Sequence, residues 1–155
     1  MTPQEQLALV RQHYALNAAG DHAAARELLT DDFSITIPQC MPFAGTYRGK
    51  DAFLTLIPRV MQAIAVKRLD FVAVTVGEGY AVELVEFTLD GYDGPPVQVA
   101  EVIRFRGDKI AEIRPYYHDA QPMITLAAQR RASGQSLDDP PAIRPPVETG
   151  GLSDH

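Results

Sequence analysis

The stretch VQVAEVIRFRGDKIAEIRPYY, residues 97–117, decides the fold. Val97, Val99, Glu101, Ile103 and Phe105 fall on one face of an extended chain, and Gln98, Arg104 and Arg106 on the other. This period-two pattern is that of a half-buried strand. Gly107-Asp108 is a turn signal, and β-rich sequence resumes from Lys109 to Tyr117, so two long strands pair antiparallel. Working backwards, Tyr80–Leu89 and Lys67–Val76 are equally rich in Val, Ile, Phe and Tyr. Gly77-Glu78-Gly79 and the turn-rich Asp90–Pro96 supply the connections. The second half of the chain therefore reads as a meander of four strands.

The first half reads differently. Thr2-Pro3-Gln4-Glu5 is a capping box with proline at the first helical position. Leu7, Val10, Tyr14 and Ala18 follow at helical spacing, and Gly20 stops the helix. Asp21 caps a second short helix, expected through Leu29. Phe33–Ile37 alternates as a strand ending at Pro38. A turn-rich loop, QCMPFAGTYRG, follows, and then a third helix over 50–65, which Pro58 is expected to kink. A last helix is expected over 121–132. Helices first and a meander afterwards is an α+β pattern.

Composition bounds the rest. The chain has 155 residues, 46% apolar and 22% charged, which fits one globular domain. Residues 1–133 form the expected compact unit. Residues 134–155 hold four of the twelve prolines and three of the six net negative charges, too polar to build a core, and read either as a mobile tail or as an extended arm on this domain or a partner. A net charge of −6 and a pI near 5.1 disfavour nucleic acid and anionic membrane as partners. No apolar run reaches the ~18 residues of a membrane span and no signal peptide is visible. With Cys40 as the single cysteine, a reducing cytoplasm is the expected location.

Familiar chemical motifs are weak here. Gly45–Asp51 has the wrong spacing for a phosphate loop, and the four histidines lack metal-ligand spacing, so neither cofactor nor metal is expected. No G-x-S-x-G elbow is present, and Cys40 is expected to be buried. Glu101 is more informative, because a carboxylate among Val97, Val99, Ile103 and Phe105 must be paired, protonated or lining a cavity. Desolvation would raise its pKa and suit it to proton transfer. Glu83 shares a face with Val85, Phe87 and Leu89, and Glu86 shares the other with Val82 and Leu84. At least one of those two should be an ordinary exposed residue. His13 and Tyr14 lie on the first helix, and the strand end Glu112–Asp119 gathers Tyr116, Tyr117 and His118, any of which can line a pocket mouth.

Several strings carry a resemblance: Val10-Arg-Gln-His-Tyr-Ala-Leu-Asn-Ala-Ala-Gly20-Asp21, Leu28-Leu-Thr-Asp-Asp-Phe33, Tyr47-Arg-Gly-Lys-Asp-Ala-Phe53, and Ile103 through Tyr117. In their order and spacing the chain resembles the nuclear-transport-factor-2-like superfamily, within it the SnoaL-like polyketide cyclase and ketosteroid isomerase group. The resemblance implies a cone-shaped, cystatin-like roll, in which a curved, mainly antiparallel sheet wraps three helices around a pocket. It also implies a homodimer through the outer sheet face. The isomerase's helix tyrosine falls on His13, with Tyr14 beside it, and its protonated strand acid falls on Glu101. Its base, just before a proline at the end of the first strand, falls on Ile37, so classical ketosteroid isomerisation is not expected.

Two functions remain. One is an acid/base enzyme, an isomerase, cyclase or dehydratase, acting on a small apolar carbonyl-type substrate. Glu101 would be the acid or hydrogen-bond donor and His13 the base or second donor, with a pocket of Tyr14, Phe33, Ile37, Phe43, Tyr47, Phe53, Ile57, Met61, Tyr117 and His118. The other is a non-catalytic module that binds an apolar ligand or a protein. A dimeric scaffold with a filled interior is a third possibility.

Overall fold

The computed structural model describes residues 1–134 and the backbone of 142–144, so most of the expected tail, 135–141 and 145–155, lies outside the described residues. In chain order the elements are α1 (Pro3–Ala18), α2 (His22–Arg26), β1 (Leu29–Ile37), β2 (Gly45–Arg48) and α3 (Ala52–Ala63). Then come β3 (Val66–Gly77), β4 (Tyr80–Leu89), β5 (Val97–Arg106), β6 (Lys109–Tyr117), α4 (Gln121–Ser133) and β7 (Ala142–Arg144). All strands join one curved sheet in the order β2-β1-β6-β5-β4-β3-β7. Neighbours are antiparallel except β1–β6 and β3–β7. Register shifts in β3 and between β5 and β6 bend it, and α1 and α3 cover its inner face.

Local chemistry explains the elements. Thr2 Oγ1 accepts from the Glu5 amide at 3.2 Å while Glu5 Oε2 accepts from the Thr2 amide at 2.6 Å, closing the capping box of α1. Such a cap is worth about 1 kcal/mol. Asp21 Oδ1 accepts from the Ala24 amide and starts α2. The β3–β4 turn has positive φ at both Glu78 (53°) and Gly79 (80°), the hairpin turn whose twist matches the strands. The core is continuous, with Val10, Leu29, Phe33, Phe71, Val99, Ile103, Ile110 and Met123 fully buried.

The sequence expectations need several corrections. α2 stops at Arg26 rather than Leu29, because Leu29 already pairs with Ile110 and opens β1. β2 lies inside the expected loop, zipped onto β1 from Ser34↔Arg48 to Ile37↔Gly45. α3 is shorter than 50–65 at both ends and carries Pro58 within it. Cys40 is exposed, not buried. Ala142–Arg144, within the expected tail, runs parallel to β3 beside Arg68–Asp70. No described helix is long and apolar enough to cross a membrane.

The pairing of β1 with β6 ends at Ile35↔Ile113, two residues before Pro115. Proline donates no ladder hydrogen bond. Beyond that point β1 continues to Ile37 paired only with β2.

Candidate functional site

The strand registers set the site. On the inner face, Phe87 stands opposite Val97, and Val85 opposite Val99 and then Tyr117. The next row runs Val74, Glu83, Glu101, Pro115, and the one after it Ala81, Ile103, Ile113, Ile35. Period-two geometry thus brings two glutamates side by side on adjacent strands, within an otherwise apolar face. Side chains directly opposite in an antiparallel pair have Cβ atoms only about 4.5–5.5 Å apart.

Above these rows lies a cavity of about 180 Å³. The helices contribute His13, Tyr14 and Asn17 from α1, and Phe53, Leu56, Ile57, Val60 and Met61 from α3. Ile35, Ile37 and Phe43 close one side. The sheet supplies Val85, Phe87, Tyr117 and the two glutamates. Among the described residues no lysine or arginine lines it. An apolar cavity of about 150 Å³ suffices for benzene, so the space matches a single-ring molecule.

Most of the residues expected at the pocket therefore lie on this wall: His13, Tyr14, Ile37, Phe43, Phe53, Ile57, Met61, Glu101 and Tyr117. Three do not. Phe33 points inward but is wholly buried beneath Phe53, its ring stacked at 5.7 Å, so it packs below the cavity floor. Tyr47 is buried on β2, its hydroxyl donating to the Phe43 carbonyl at 2.8 Å. His118 follows β6 and is exposed. The same alternation sends Tyr116 outward, 55% exposed, and Tyr117 inward.

The electrostatics single out the glutamate pair. Burial raises the carboxyl of Glu83 well above the usual range, and the charge and hydrogen bond of Glu101 raise it further. Burial also raises Glu101, but its hydrogen bond with Glu83 pulls it back. Two like charges this close in low dielectric do not both form, and the pair titrates as a unit. The hydrogen bond between them lets one proton serve both carboxyls. Part of Glu101 stays accessible, as a residue of the cavity wall must.

The aromatic hydroxyls stay protonated. Burial raises Tyr14, followed by the charges of Glu83, Asp70 and Glu101. Burial raises Tyr117, followed by Glu101 and Cys40. His13 is pushed down to about 4 by burial alone, with no contribution from either glutamate. Tyr14, not His13, is thus the α1 residue that feels the acid pair. His13 is neutral at pH 7. The Asn17 amide nitrogen donates to the His13 carbonyl at 3.1 Å and meets Nε2 at 3.2 Å, which places the ring proton on Nδ1.

Glu83 is the residue whose partnership sequence reasoning missed. Its signal was present, a carboxylate in line with Val85 and Phe87, but the β4–β5 register that sets it beside Glu101 was not. Asn17 also reaches the cavity, one helical turn from His13. Among the described residues no group of three or more His, Cys, Asp or Glu is placed to hold a metal ion.

Comparison with known proteins agrees with this architecture. Residues 10–113 match the profile of the SnoaL-like domain. The fold is similar to Bal32a from a soil-derived mobile gene cassette, at 19% identity over 80% of this chain and 97% of that one, with a TM-score of 0.68. It is similar to an NTF2-like protein from Burkholderia pseudomallei K96243, at 23% identity over 82% and 98%, with a TM-score of 0.67. A protein with a cystatin-like fold from Xanthomonas campestris aligns at 20% identity over 77% and 96%, with a TM-score of 0.59. Comparison with curated proteins finds no match.

Proposed function

This chain belongs to the SnoaL-like domain family, and from that premise we propose that its cavity is an acid/base site for a small, uncharged, single-ring carbonyl-type substrate. One observation carries the reading: two glutamates stand side by side on adjacent strands, both carboxyls raised by burial, in the wall of an apolar cavity that among the described residues no lysine or arginine lines. Buried carboxyls with raised pKa values are suited to proton transfer near neutral pH. The Glu101 carboxylate takes a proton from the carbon next to the carbonyl. The Glu83 acid or the Tyr14 hydroxyl, both protonated, stabilises the oxygen on which negative charge develops. Returning the proton to another carbon completes an isomerisation with no net change in protons. Tyr117 orients the ring, and His13 offers a further N–H donor through Nδ1.

The assay is deuterium exchange at the carbon next to the carbonyl of small cyclic ketones in D₂O, followed by proton NMR. Glu101→Gln should slow protein-catalysed exchange by about 10²–10⁴-fold, the usual contribution of a positioned base. Equal exchange with and without the protein would remove the enzyme reading. A second reading, a ligand-binding module, is favoured by Ile37, which leaves the end of β1 without a carboxylate. It predicts that single-ring ketones bind wild type and Glu101→Gln alike, with no exchange.

A homodimer is part of the proposal. The outer face of the sheet exposes Val72, Tyr80, Leu84 and Tyr116, with Leu84 and Tyr116 in one row across Ala100. Clustered exposed apolar side chains on a sheet face mark an association surface.

A further inference from the structure

A second cleft lies on the far side of Phe43 from the apolar cavity, between α3 and α4, with a volume of about 460 Å³. Three guanidinium side chains line it: Arg59 from α3, and Arg130 and Arg131 from α4. The Gln62 side chain joins them. Among the described residues no carboxylate lines the cleft. Among the described residues, none of the three arginines has a carboxylate partner. Arg59 instead meets Tyr47, donating from Nη1 to the hydroxyl at 3.4 Å with its guanidinium 5.5 Å from the ring centroid.

Arg130 is the unusual member. It is only 8% exposed. α4 buries the stripe Met123, Leu126 and Ala127, and Arg130 continues it at i+3 from Ala127 and i+4 from Leu126. An apolar residue would serve that packing better. Nε and Nη2 of Arg130 are buried without an acceptor among the described residues. These two nitrogens form one edge of the guanidinium, the edge that grips an oxyanion through two parallel hydrogen bonds. A buried charged group with unmet donors is strongly unfavourable unless something supplies the oxygens.

We infer that this cleft binds a phosphoryl group, free or carried on a larger ligand. On binding, Arg130 turns its Nε–Nη2 edge, closed to solvent in this structure, onto two of the phosphoryl oxygens, and Arg59 and Arg131 neutralise the remaining charge from the rim. A phosphoryl group, with nearly two negative charges and three acceptor oxygens, matches three cations, whereas one carboxylate does not. α3 turns Leu56, Ile57 and Val60 to the apolar cavity but Arg59 and Gln62 to the cleft. The inference therefore stands apart from the acid pair.

The test is isothermal titration calorimetry of the full chain with inorganic phosphate, at ionic strength fixed with sodium chloride. Saturable one-site binding is expected. Arg130→Met should weaken it about ten- to a hundredfold, the range for losing charge-assisted hydrogen bonds. Arg59→Gln, at an exposed rim position, should weaken it about threefold or more, and carries the test should Arg130→Met fail to fold. Arg11→Gln, on α1, should leave it unchanged. The inference is overturned if phosphate gives no saturable heat, if both cleft variants bind as wild type does, or if acetate binds as tightly as phosphate.

Discussion

Lowering the pH tests the burial of His13. The ring is 6% exposed, lies 5.5 Å from the Phe53 ring and is pushed from 6.5 to about 4 by loss of water. Between those pH values the unfolded chain takes up a proton that the folded chain excludes. The stability His13 contributes is therefore complete above pH 6.5 and is lost as the pH falls to about 4. At 1.36 kcal/mol per pH unit, the span from 6.5 to about 4 corresponds to about 3 kcal/mol. For a domain of this size that is roughly 10 °C in Tm. The glutamate pair acts in the opposite sense. Its folded pKa values lie above the ordinary 4.5, so its contribution is greatest below that pH and declines as the pH rises. The two trends separate by difference. Urea unfolding of wild type and His13→Gln at intervals from pH 7.5 to 4 should show the gap between them changing by about 3 kcal/mol, with wild type losing ground in acid. Parallel curves would refute a buried, neutral His13.

Glu101→Gln removes the like charge beside Glu83, so the Glu83 carboxyl should move down toward the ordinary range in carbon-detected NMR titration; no movement would mean the two acids do not share a proton. Ile103→Ala opens a hole in the row from Ala81 to Ile35, and urea denaturation should show a loss of about 2–5 kcal/mol. Leu84→Asp places a charge at the centre of the outer sheet face. Sedimentation should change from dimer to monomer with cavity binding intact, and a wild-type monomer at micromolar concentration would sink the dimer.

The meander was legible because its signals agreed. Tyr80–Leu89 and Val97–Arg106 begin and end, and Lys109–Tyr117 begins, where alternation meets glycine, aspartate or proline. β1 was read four residues short because Thr30, Asp31 and Asp32 look like a loop; only the pairing of Leu29 with Ile110 makes that segment a strand. β2 was missed because the four residues Gly45–Arg48 carry too little pattern without their partner. In the site, Glu101 was visible because one strand's alternation is a local property. Its relation to Glu83 was not, because the seven residues Asp90–Pro96 between β4 and β5 do not fix a register. Phe33 and Tyr47 show a related limit, since periodicity tells inward from outward but not cavity wall from packed floor.

Pro115 sets how far the seam between β1 and β6 closes. It follows the last rung of that ladder and lines the cavity beside Ile37 and Tyr117. A residue with an N–H at 115 would let the two strands zip further and draw Ile37 toward the acid pair. The width of this cavity is thus set in part at one backbone position, without touching either carboxyl.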